Sequence, residues 1–581
     1  MKKITCLIFM VILLLSSLFI FTGCDIYVGN MHIHIHEFKQ HADDAYLKSK
    51  ATCYLPTEYY YSCYCGQKSD KTFITQQTLG HNMPGGRAVC YRCNYVDFTR
   101  AYTVENGVIT GLTDSAKQLP YLEIPQVIDG VAIAGIADSA FENNSSITRI
   151  TIPDFIIKVG KNMFRGCNFL QSVDVKCAQV SENMFYGCGS LKKVYLGKNV
   201  TAIGNGAFYG CSNIDDLDLK NVTSIGESAF KGCTSLTSVK LIGKITTIPE
   251  SAFENCTSLT GIDLPNTLTS IGNNAFKNSA LTSISIPYYV TQLDETAFKG
   301  CTDLITVEID GVSAIPSGAF SGSKAIKFLT LSESVKSIGD NAFGNCTEIE
   351  HLVIKSAEIE LGQNALPSEL TNLSELTAPY SIFTAYDTSM VKTLHLTSGQ
   401  EIKFREFYNN QNLESIRLAD SFTNIGDSAF LKCKALKSVV LGDGITVINR
   451  FVFSYCTNLT SVTFGANVNT IDTFAFDRCF NLQSITLPSS LKTIGNRAFS
   501  DCNSLSSITI PSSVTKIGVA PFESCDKLKS ITFENPNGWY SVQTATDWHN
   551  QQNGTAINLS DPQANATTLI KTTYDFYLYK I

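Results

Sequence analysis

The sequence has no excess of positive charge. Its 581 residues include 45 lysines and arginines against 52 aspartates and glutamates, which gives a formal net charge of −7 at pH 7. Proteins that bind the phosphate backbone of a nucleic acid need a basic patch that displaces its counterions. Only 17% of the residues are charged at all. We therefore expect no nucleic-acid partner and an outer surface made largely of serine, threonine and asparagine.

The motifs of common enzyme classes are also missing. The sequence contains no GxSxG, no HExxH and no glycine-rich loop of the kind that cradles phosphate. The run between His36 and His41 comes close to HExxH, but its extra residue moves the two histidines off a shared helical face. We predict that the protein is not an enzyme and requires no cofactor.

The sequence does contain a 23-residue unit, repeated five times between residues 421 and 532. Five phenylalanines mark this unit, and a cysteine follows each of them three positions later. These are Phe430, Phe453, Phe476, Phe499 and Phe522. At spacings of 21 to 23 residues, the series also includes Phe141, Phe164, Phe185, Phe208, Phe230, Phe253, Phe276, Phe298, Phe320 and Phe343. A period in this range is typical of a solenoid.

Each repeat divides into three pieces. In one copy, residues 482–487 alternate like a strand with one buried face, residues 491–495 form a shorter strand, and residues 496–502 fit a single helical turn. One coil cannot bury its own apolar side, so we expect about seventeen coils to stack with their strands in parallel sheets. The phenylalanines should lie in the core. We interpret the cysteines as buried structural thiols, because Ser279 and Ser323 replace them in two coils.

The repeats fit the pattern LxxIxIPxxVxxIGxxAFxxCxx, as in LQSITLPSSLKTIGNRAFSDCNS. Over residues 131–533 the chain resembles the BspA-like leucine-rich repeat proteins of bacterial surfaces. The resemblance implies a β-rich leucine-rich repeat solenoid that binds an extracellular protein, host matrix or other bacterial cells. It brings no catalytic residues. Capture of a carbohydrate or nutrient at the cell surface is the alternative function.

Residues 1–23 are typical of a secretion signal. Lys2 and Lys3 precede a mainly apolar run, and Cys24 follows two small residues. This arrangement resembles a bacterial lipoprotein signal, which implies that Cys24 is lipidated. An uncleaved membrane anchor is the alternative. In both cases we expect the chain to lie outside the cytoplasm and to stay attached to a membrane.

Two small segments precede the repeats. Residues 24–48 form a polar, histidine-containing tether, for which a solvated or weakly metal-binding tract is the simplest interpretation. Residues 49–100 form a cysteine-rich module that resembles a unit found beside leucine-rich repeats in surface proteins of gut bacteria. A structural zinc ion, a disulfide framework and unpaired thiols all remain open for this module. The candidate zinc ligands are Cys53, Cys63, Cys65, Cys90, Cys93 and His81.

A binding site on the solenoid would use the exposed positions of its strands. The exposed residue between the last two buried positions of each first strand belongs to one row, which begins with charged residues and ends as a threonine ladder. A merely solvated face is the alternative for any single position. The candidate ligand-binding residues in this row are Tyr195, Asp218, Lys240, Asp263 and Glu308.

The repeat pattern is interrupted inside the array and stops near both ends. Leu366 occupies one phenylalanine position, and residues 373–400 are irregular around Pro379. We expect there either an elongated coil with a protruding loop or a joint that changes the curvature, and an eroded repeat is the simpler explanation than a functional loop. Residues 101–130 should cap the first coil, and the aromatic residues of 534–581 should cap the last. A glycan site made from those C-terminal aromatic rings is the alternative.

Overall fold

The structure of the chain is a computed structural model with two compact units, Met1–Met163 and Phe164–Ile581. It describes residues 20–22, 25–28, 31–34, 47–49, 57–62, 68–76, 87–89, 96–241, 244–570 and 576–581.

The first part of the Met1–Met163 unit contains two small antiparallel sheets of three strands each. The strands of one sheet are Ile20–Thr22, Asp25–Val28 and Met31–His34. The strands of the other are Leu47–Ser49, Thr57–Ser62 and Lys68–Gln76.

The coils of this unit begin with an antiparallel hairpin, Tyr102–Glu105 and Val108–Leu112. The ring of Tyr102 packs edge-on against the ring of Phe141, with 6.3 Å between their centroids. Its hydroxyl donates a hydrogen bond of 2.8 Å to the carbonyl oxygen of Glu123. The hairpin therefore covers the first phenylalanine of the repeat series.

Parallel pairing starts directly after this hairpin. Val108–Leu112 pairs with Gly135–Ile136, and Gly135–Ile136 pairs in turn with Lys158–Val159. The other elements of the unit are the 3-10 helix Phe98–Arg100 and the strands Tyr121–Leu122, Val127–Ile128, Val131–Ala132 and Arg149–Ile152.

Each coil of the Phe164–Ile581 unit generally contributes a first strand of three or four residues and a second strand of two. Parallel partners occupy the same position in successive repeats, as Ser283, Thr306 and Phe328 do. The first strands are Ser172–Val175, Lys193–Leu196, Asp216–Asp218, Ser238–Lys240, Gly261–Asp263, Ser283–Ile286, Thr306–Ile309, Phe328–Leu331, His351–Ile354, Glu375–Ala378, Thr393–Leu396, Ser415–Leu418, Ser438–Val440, Ser461–Thr463, Ser507–Ile510 and Ser530–Phe533. The second strands are Gln179–Val180, Ala202–Ile203, Ser224–Ile225, Thr247–Ile248, Ser270–Ile271, Gln292–Leu293, Ala314–Ile315, Ser337–Ile338, Glu360–Leu361, Glu401–Ile402, Asn424–Ile425, Val447–Ile448, Thr470–Ile471, Thr493–Ile494 and Lys516–Ile517.

These ladders confirm the predicted parallel-strand solenoid. Its strands make about 18 turns, close to the seventeen coils predicted. Two details of the predicted unit are wrong. Residues 482–487 do not form a strand, although Leu482, Ile485 and Leu487 are buried as expected.

The second wrong detail is the helical turn predicted for residues 496–502. Two hydrogen-bonded turns form instead, from Ser500 N to the Arg497 carbonyl at 3.2 Å and from Cys502 N to the Phe499 carbonyl at 3.4 Å. Arg497 and Asp501 have φ angles of 50° and 56°. Left-handed residues at these positions prevent a right-handed helix from continuing.

The core of this unit is built on stacked phenylalanine rings. Nine successive rings from Phe164 to Phe343 lie 4.8–5.6 Å apart between centroids, at interplanar angles of 4–17°. Six more rings from Phe407 to Phe522 stack at 4.8–5.6 Å. Phe407 is 4% exposed and the other rings are fully buried. The predicted core position is therefore confirmed.

The backbone of the turn forms a third ladder beside the two strand ladders. The amide of Phe253, for example, donates to the carbonyl of Ala275 in the next coil at 2.8 Å. The same bond recurs between Phe276 and Ala297 at 2.8 Å. Each coil is thus tied to the next through all three of its pieces.

The repeat cysteines reinforce this third ladder. Cys256 donates its thiol hydrogen to the carbonyl of Phe230 at 3.2 Å, across one coil boundary. Ser323 makes the equivalent bond to the carbonyl of Phe298 at 3.3 Å. The described cysteines are all buried and none forms a disulfide. The interpretation as structural thiols is consistent with this geometry, which also explains why serine can replace cysteine.

The irregular segment is a shortened coil, so the expected elongated coil with a protruding loop is wrong. The register partners Glu375 and Thr393 are only 18 positions apart, because the helix Tyr380–Ala385 takes the place of the turn and second strand. Phe383 on this helix lies 5.0 Å from Phe407, tilted by 33°. Nine first strands, from Ser283–Ile286 to Ser461–Thr463, form one continuous nine-stranded sheet, and this sheet runs through the segment without a gap.

The C-terminal segment folds over the last coil. Trp539–Val542, Thr555–Ile557 and Tyr577–Lys580 are antiparallel, and Tyr577–Lys580 also pairs with Lys516–Ile517. Its helices are Ala545–Asn550 and Pro562–Leu569.

The aromatic rings of this segment face inward. Trp539 and Tyr579 are each 2% exposed, and Trp548 is 7% exposed, with its indole N–H bonded to the Leu578 carbonyl at 2.9 Å. Because these three rings are buried against the protein, they cannot offer their faces to a sugar. The capping interpretation accounts for them better than the glycan alternative.

Replacing Phe253 by Ala removes one buried ring from the middle of the stack. We expect the free energy of unfolding to fall by about 3–5 kcal/mol, through lost burial and the cavity that remains. Urea unfolding of the full-length protein measures this loss. The control Phe169→Ala removes a ring that is 57% exposed and should cost less than about 1 kcal/mol. Equal losses in the two variants would contradict the core role.

The buried thiols should make the protein sensitive to alkaline pH. Burial raises the pKa of the Cys256 thiol to about 12, above the unfolded-chain value of about 8.5. Because folding favours the neutral thiol, the stability that this group contributes is complete below about pH 8.5 and is lost as the pH rises toward 12.

We therefore expect Cys256→Ser, which does not ionise, to lose less stability than the unmodified protein on going from about pH 8 to about pH 10. The difference between the two free energies of unfolding should change by roughly 1.4 kcal/mol per pH unit above about pH 8.5. Urea unfolding at several pH values measures it. Parallel pH curves for the two proteins would show that Cys256 is not held as a neutral thiol.

Candidate binding surfaces

Three of the predicted site residues lie side by side on paired strands. Asp218, Lys240 and Asp263 are direct register partners, and all three are exposed. Lys220 Nζ also lies 3.1 Å from Asp218 Oδ2. Partial burial raises the pKa of Asp218, but hydrogen bonds from the backbone and side chain of Lys220 outweigh it, so the pKa is lowered. The charges of this group largely compensate one another.

The other two predicted residues flank this group. Tyr195 is 59% exposed on a strand that contacts the Asp218 strand without forming a ladder with it. Glu308 lies on the nine-stranded sheet, between Ser285 and Thr330. Four of the five candidates therefore occupy consecutive first strands, and Glu308 belongs to a coil further along the chain.

A second exposed column of register partners lies two residues before the predicted row on each first strand. It contains a cluster that the prediction of a single row misses. Phe328, His351 and Glu375 are register partners in this column, and we call them the Phe328 cluster. The ring of Phe328 is 40% exposed and stacks on the imidazole of His351 at 4.7 Å. His351 Nδ1 lies 2.8 Å from Glu375 Oε2. Extending the register argument from one column to two would have found these residues.

Apolar and charged side chains surround the Phe328 cluster. Ile305 is 39% exposed, and the adjacent Lys327 pairs with Glu350 at 2.6 Å between Nζ and Oε1. An aromatic centre with paired charges beside it has the composition of a protein interface, in which a few aromatic anchors supply most of the affinity.

The irregular segment presents less to solvent than its sequence suggests. Pro379 and Ile382 are buried, and the Tyr380 hydroxyl donates a hydrogen bond of 2.9 Å to Glu406 Oε2. These contacts give the segment a packing role within the stack.

The predicted lipidation site and zinc site lie outside the described residues. This applies to Cys24, Cys53, Cys63, Cys65, Cys90, Cys93 and His81. Within the described part of the chain, histidine, cysteine, aspartate and glutamate form no cluster suited to a metal ion. No helix in that part is long and apolar enough to cross a membrane.

The repeats match a known family over most of the chain. The profile of the BspA type leucine rich repeat region matches residues 134–260, 178–305, 303–398, 381–502 and 425–541. The chain therefore belongs to the BspA type leucine-rich repeat family. Proteins with curated descriptions yield no match to this sequence.

Several solved structures resemble the chain. A leucine-rich repeat protein from Bacteroides ovatus is 25% identical, over 74% of this chain and 91% of that one, with a TM-score of 0.24. A leucine rich cell surface protein from Faecalibacterium prausnitzii is 21% identical, over 78% and 96%, with a TM-score of 0.30. The pneumococcal vaccine antigen PcpA is 16% identical, over 67% and 89%, with a TM-score of 0.26. Because these TM-scores are low, the family assignment rests on the repeat match.

Proposed function

We propose that the protein is a lipid-anchored binding protein of the bacterial cell surface that recognises an extracellular protein through the exposed strands of its solenoid. Membership of the BspA type family supports a surface role. The signal-like residues 1–23 support lipidation of Cys24. The partner belongs to the host matrix or to another bacterial cell.

The Phe328 cluster is the observation that carries this proposal. Aromatic rings on a sheet surface expose apolar area that a partner protein can cover. The two-point contact of His351 with Phe328 and Glu375 holds the imidazole in place, so little rotamer freedom is lost on binding. The geometry therefore favours a protein partner at this part of the sheet.

The charged row has a different role in this proposal. Asp218, Lys240 and Asp263 are exposed and partly compensated, so each adds little affinity by itself. Exposed charges of alternating sign instead select partners with the complementary pattern and suppress others. We assign recognition specificity to these residues, together with Tyr195 and Glu308, and affinity to the aromatic cluster.

Replacing Phe328 by Ala should weaken partner binding by about 30-fold, the loss expected for an aromatic anchor worth about 2 kcal/mol. The full-length protein is immobilised and titrated with fibronectin, laminin and collagen, and with intact bacterial cells. The affinity for whichever of these binds is then measured for both proteins.

The matched control is Phe480→Ala, which removes a phenylalanine that is 39% exposed, compared with 40% for Phe328. This control should bind as the unmodified protein does. If both variants lose affinity equally, the strand-face proposal fails. Binding to glycans alone would likewise reject a protein partner.

Replacing Cys24 by Ala should abolish incorporation of labelled fatty acid, because the thiol that receives the lipid is lost. The full-length gene is expressed in a bacterial host supplied with labelled palmitate, and the protein is recovered from membrane and soluble fractions. Cys6→Ala, which removes the other cysteine of the signal-like segment, is the control and should remain labelled. Persistent labelling of the Cys24 variant would reject the lipid anchor.

A further inference from the structure

His395 and Arg417 lie side by side on the outer face of the nine-stranded sheet. They are direct register partners on the paired strands Thr393–Leu396 and Ser415–Leu418. Arg417 is exposed and His395 is half-buried. Both belong to the row of strand residues in which the ligand-binding candidates were predicted, between two buried leucine or isoleucine positions. A permanent cation and a group that can become one are therefore neighbours on this face.

Neither side chain has a partner within the described part of the chain. Arg417 has no carboxylate within ion-pair distance there, and the imidazole of His395 makes no hydrogen bond to another described residue. Lys240, in the same row, has an aspartate on each neighbouring strand instead. The imidazole of His351 is bound by Glu375 at 2.8 Å. The protein thus leaves the charge of Arg417 uncompensated.

The carboxylates closest in sequence to this pair are engaged by other cations. Glu375, one strand before His395, is the partner of His351. Glu414, which precedes the strand of Arg417, pairs with Lys437.

The remaining neighbours of the pair add no negative charge. Thr377 and Val440, which flank His395 and Arg417 in the row, are uncharged. Lys392, just before the strand of His395, is exposed and adds a further positive charge. The strand face is therefore locally basic around this pair.

This arrangement costs stability when both groups are charged, because like charges directly opposite each other destabilise paired strands. Burial lowers the pKa of His395 below its ordinary value, and the positive charge of Arg417 lowers it further. The imidazole is therefore neutral in the free protein at neutral pH. Arrangements that oppose the stability of the fold are expected mainly at functional sites.

The chemistry of the two groups selects a carboxylate as their ligand. A guanidinium binds a carboxylate through two parallel N–H donors. The imidazolium of His395 would donate a further hydrogen bond to the same group. A protein partner carries such carboxylates on its aspartate and glutamate side chains.

One partner can cover this pair and the Phe328 cluster together. The strand of Arg417 lies four strands from the strand of Phe328 in the same sheet, which corresponds to about 19 Å at about 4.8 Å per strand. A protein interface of ordinary size, about 800 Å² on each partner, spans such a distance. We infer that His395 and Arg417 together bind an aspartate or glutamate side chain of the partner protein, in the same interface as Phe328.

Binding of this carboxylate is coupled to protonation of His395. A bound carboxylate offsets the charge of Arg417 and favours the imidazolium, so the pKa of His395 is higher in the complex than in the free protein. The affinity gained in this way is complete below the pKa of the free protein. It is lost as the pH rises through the pKa of the complex. The inference rests on the proposed function and adds the charge of the partner and the pH dependence of its binding.

The test titrates the full-length protein with hexaglutamate between pH 6 and pH 8, a range in which the carboxylates of the peptide stay ionised. Hexaglutamine and inorganic phosphate are the comparison ligands. We expect hexaglutamate to bind more tightly than both, and at least about threefold more tightly at pH 6 than at pH 8. Absence of hexaglutamate binding, or equal binding of phosphate or hexaglutamine, would overturn the inference.

Replacing Arg417 by Gln should lower the affinity for hexaglutamate about tenfold or more. Arg417→Lys keeps the charge but not the paired donors, so its affinity should lie between those of the other two proteins. The control Lys527→Gln removes one positive charge from an exposed side chain outside the nine-stranded sheet and should bind normally. Equal losses in Arg417→Gln and Lys527→Gln would reduce the effect to net charge and reject the site.

Replacing His395 by Gln should abolish the gain in affinity between pH 8 and pH 6, because the variant cannot take up the proton. The control His351→Gln changes another histidine of the same sheet and should keep the gain. NMR titration of the histidine side chains in the unmodified protein should show a higher pKa for His395 when hexaglutamate is bound. A pH gain that survives in His395→Gln would contradict the coupling.

Failure of this inference and failure of the proposed function give different results. If fibronectin, laminin, collagen or a bacterial cell binds through Phe328 but is unaffected by Arg417→Gln, the strand-face proposal stands and the carboxylate site is rejected. If hexaglutamate binds through Arg417 while none of those partners binds, the carboxylate site stands and the proposed partners are rejected.

Discussion

The structure depends on the fact that one coil of 21 to 23 residues cannot bury its own apolar side. Stacking of the phenylalanine rings satisfies this constraint, because each ring is covered by the rings of the coils before and after it. The distance between ring centroids is about one strand spacing. Strand ladders, turn ladder and thiol bonds all join residues one repeat apart. Stability in such an array arises at the interfaces between neighbouring coils. The last coil has no following coil to cover its apolar side. The buried side chains of Trp539 and Tyr579 cover it instead.

The irregular coil shows which part of this arrangement is essential. Leu366 replaces a phenylalanine and remains fully buried, and the next coil loses both its second strand and several residues of length. The first-strand ladder nevertheless continues, with Glu375 beside His351 on one side and Thr393 on the other. Phe383 then restores an aromatic contact with Phe407. Continuity of the first strands and of the buried apolar column matters more than the length of the repeat.

Much of this could be predicted from the sequence because the solenoid is parallel. Residues at the same repeat position become register partners, so the period alone places Asp218 beside Lys240 and Lys240 beside Asp263. The turn conformation could not be read from hydrophobic periodicity, which does not distinguish a helical turn from left-handed residues such as Arg497. The Phe328 cluster was missed because a single column was considered. Glycine, asparagine and serine at fixed positions were the available signal for the left-handed backbone.

A uniform core does not imply a uniform surface. Residues 421–532 are the most regular part of the chain, and their strand face is largely threonine, which favours a purely structural interpretation. The same coils carry Phe451, Phe474 and Arg478 at left-handed positions of their turns. Because coil interfaces add their stabilities along the stack, a regular block can tolerate local strain that an irregular one could not. The regular block therefore combines an unbroken buried core with bulky side chains at the left-handed positions of its turns.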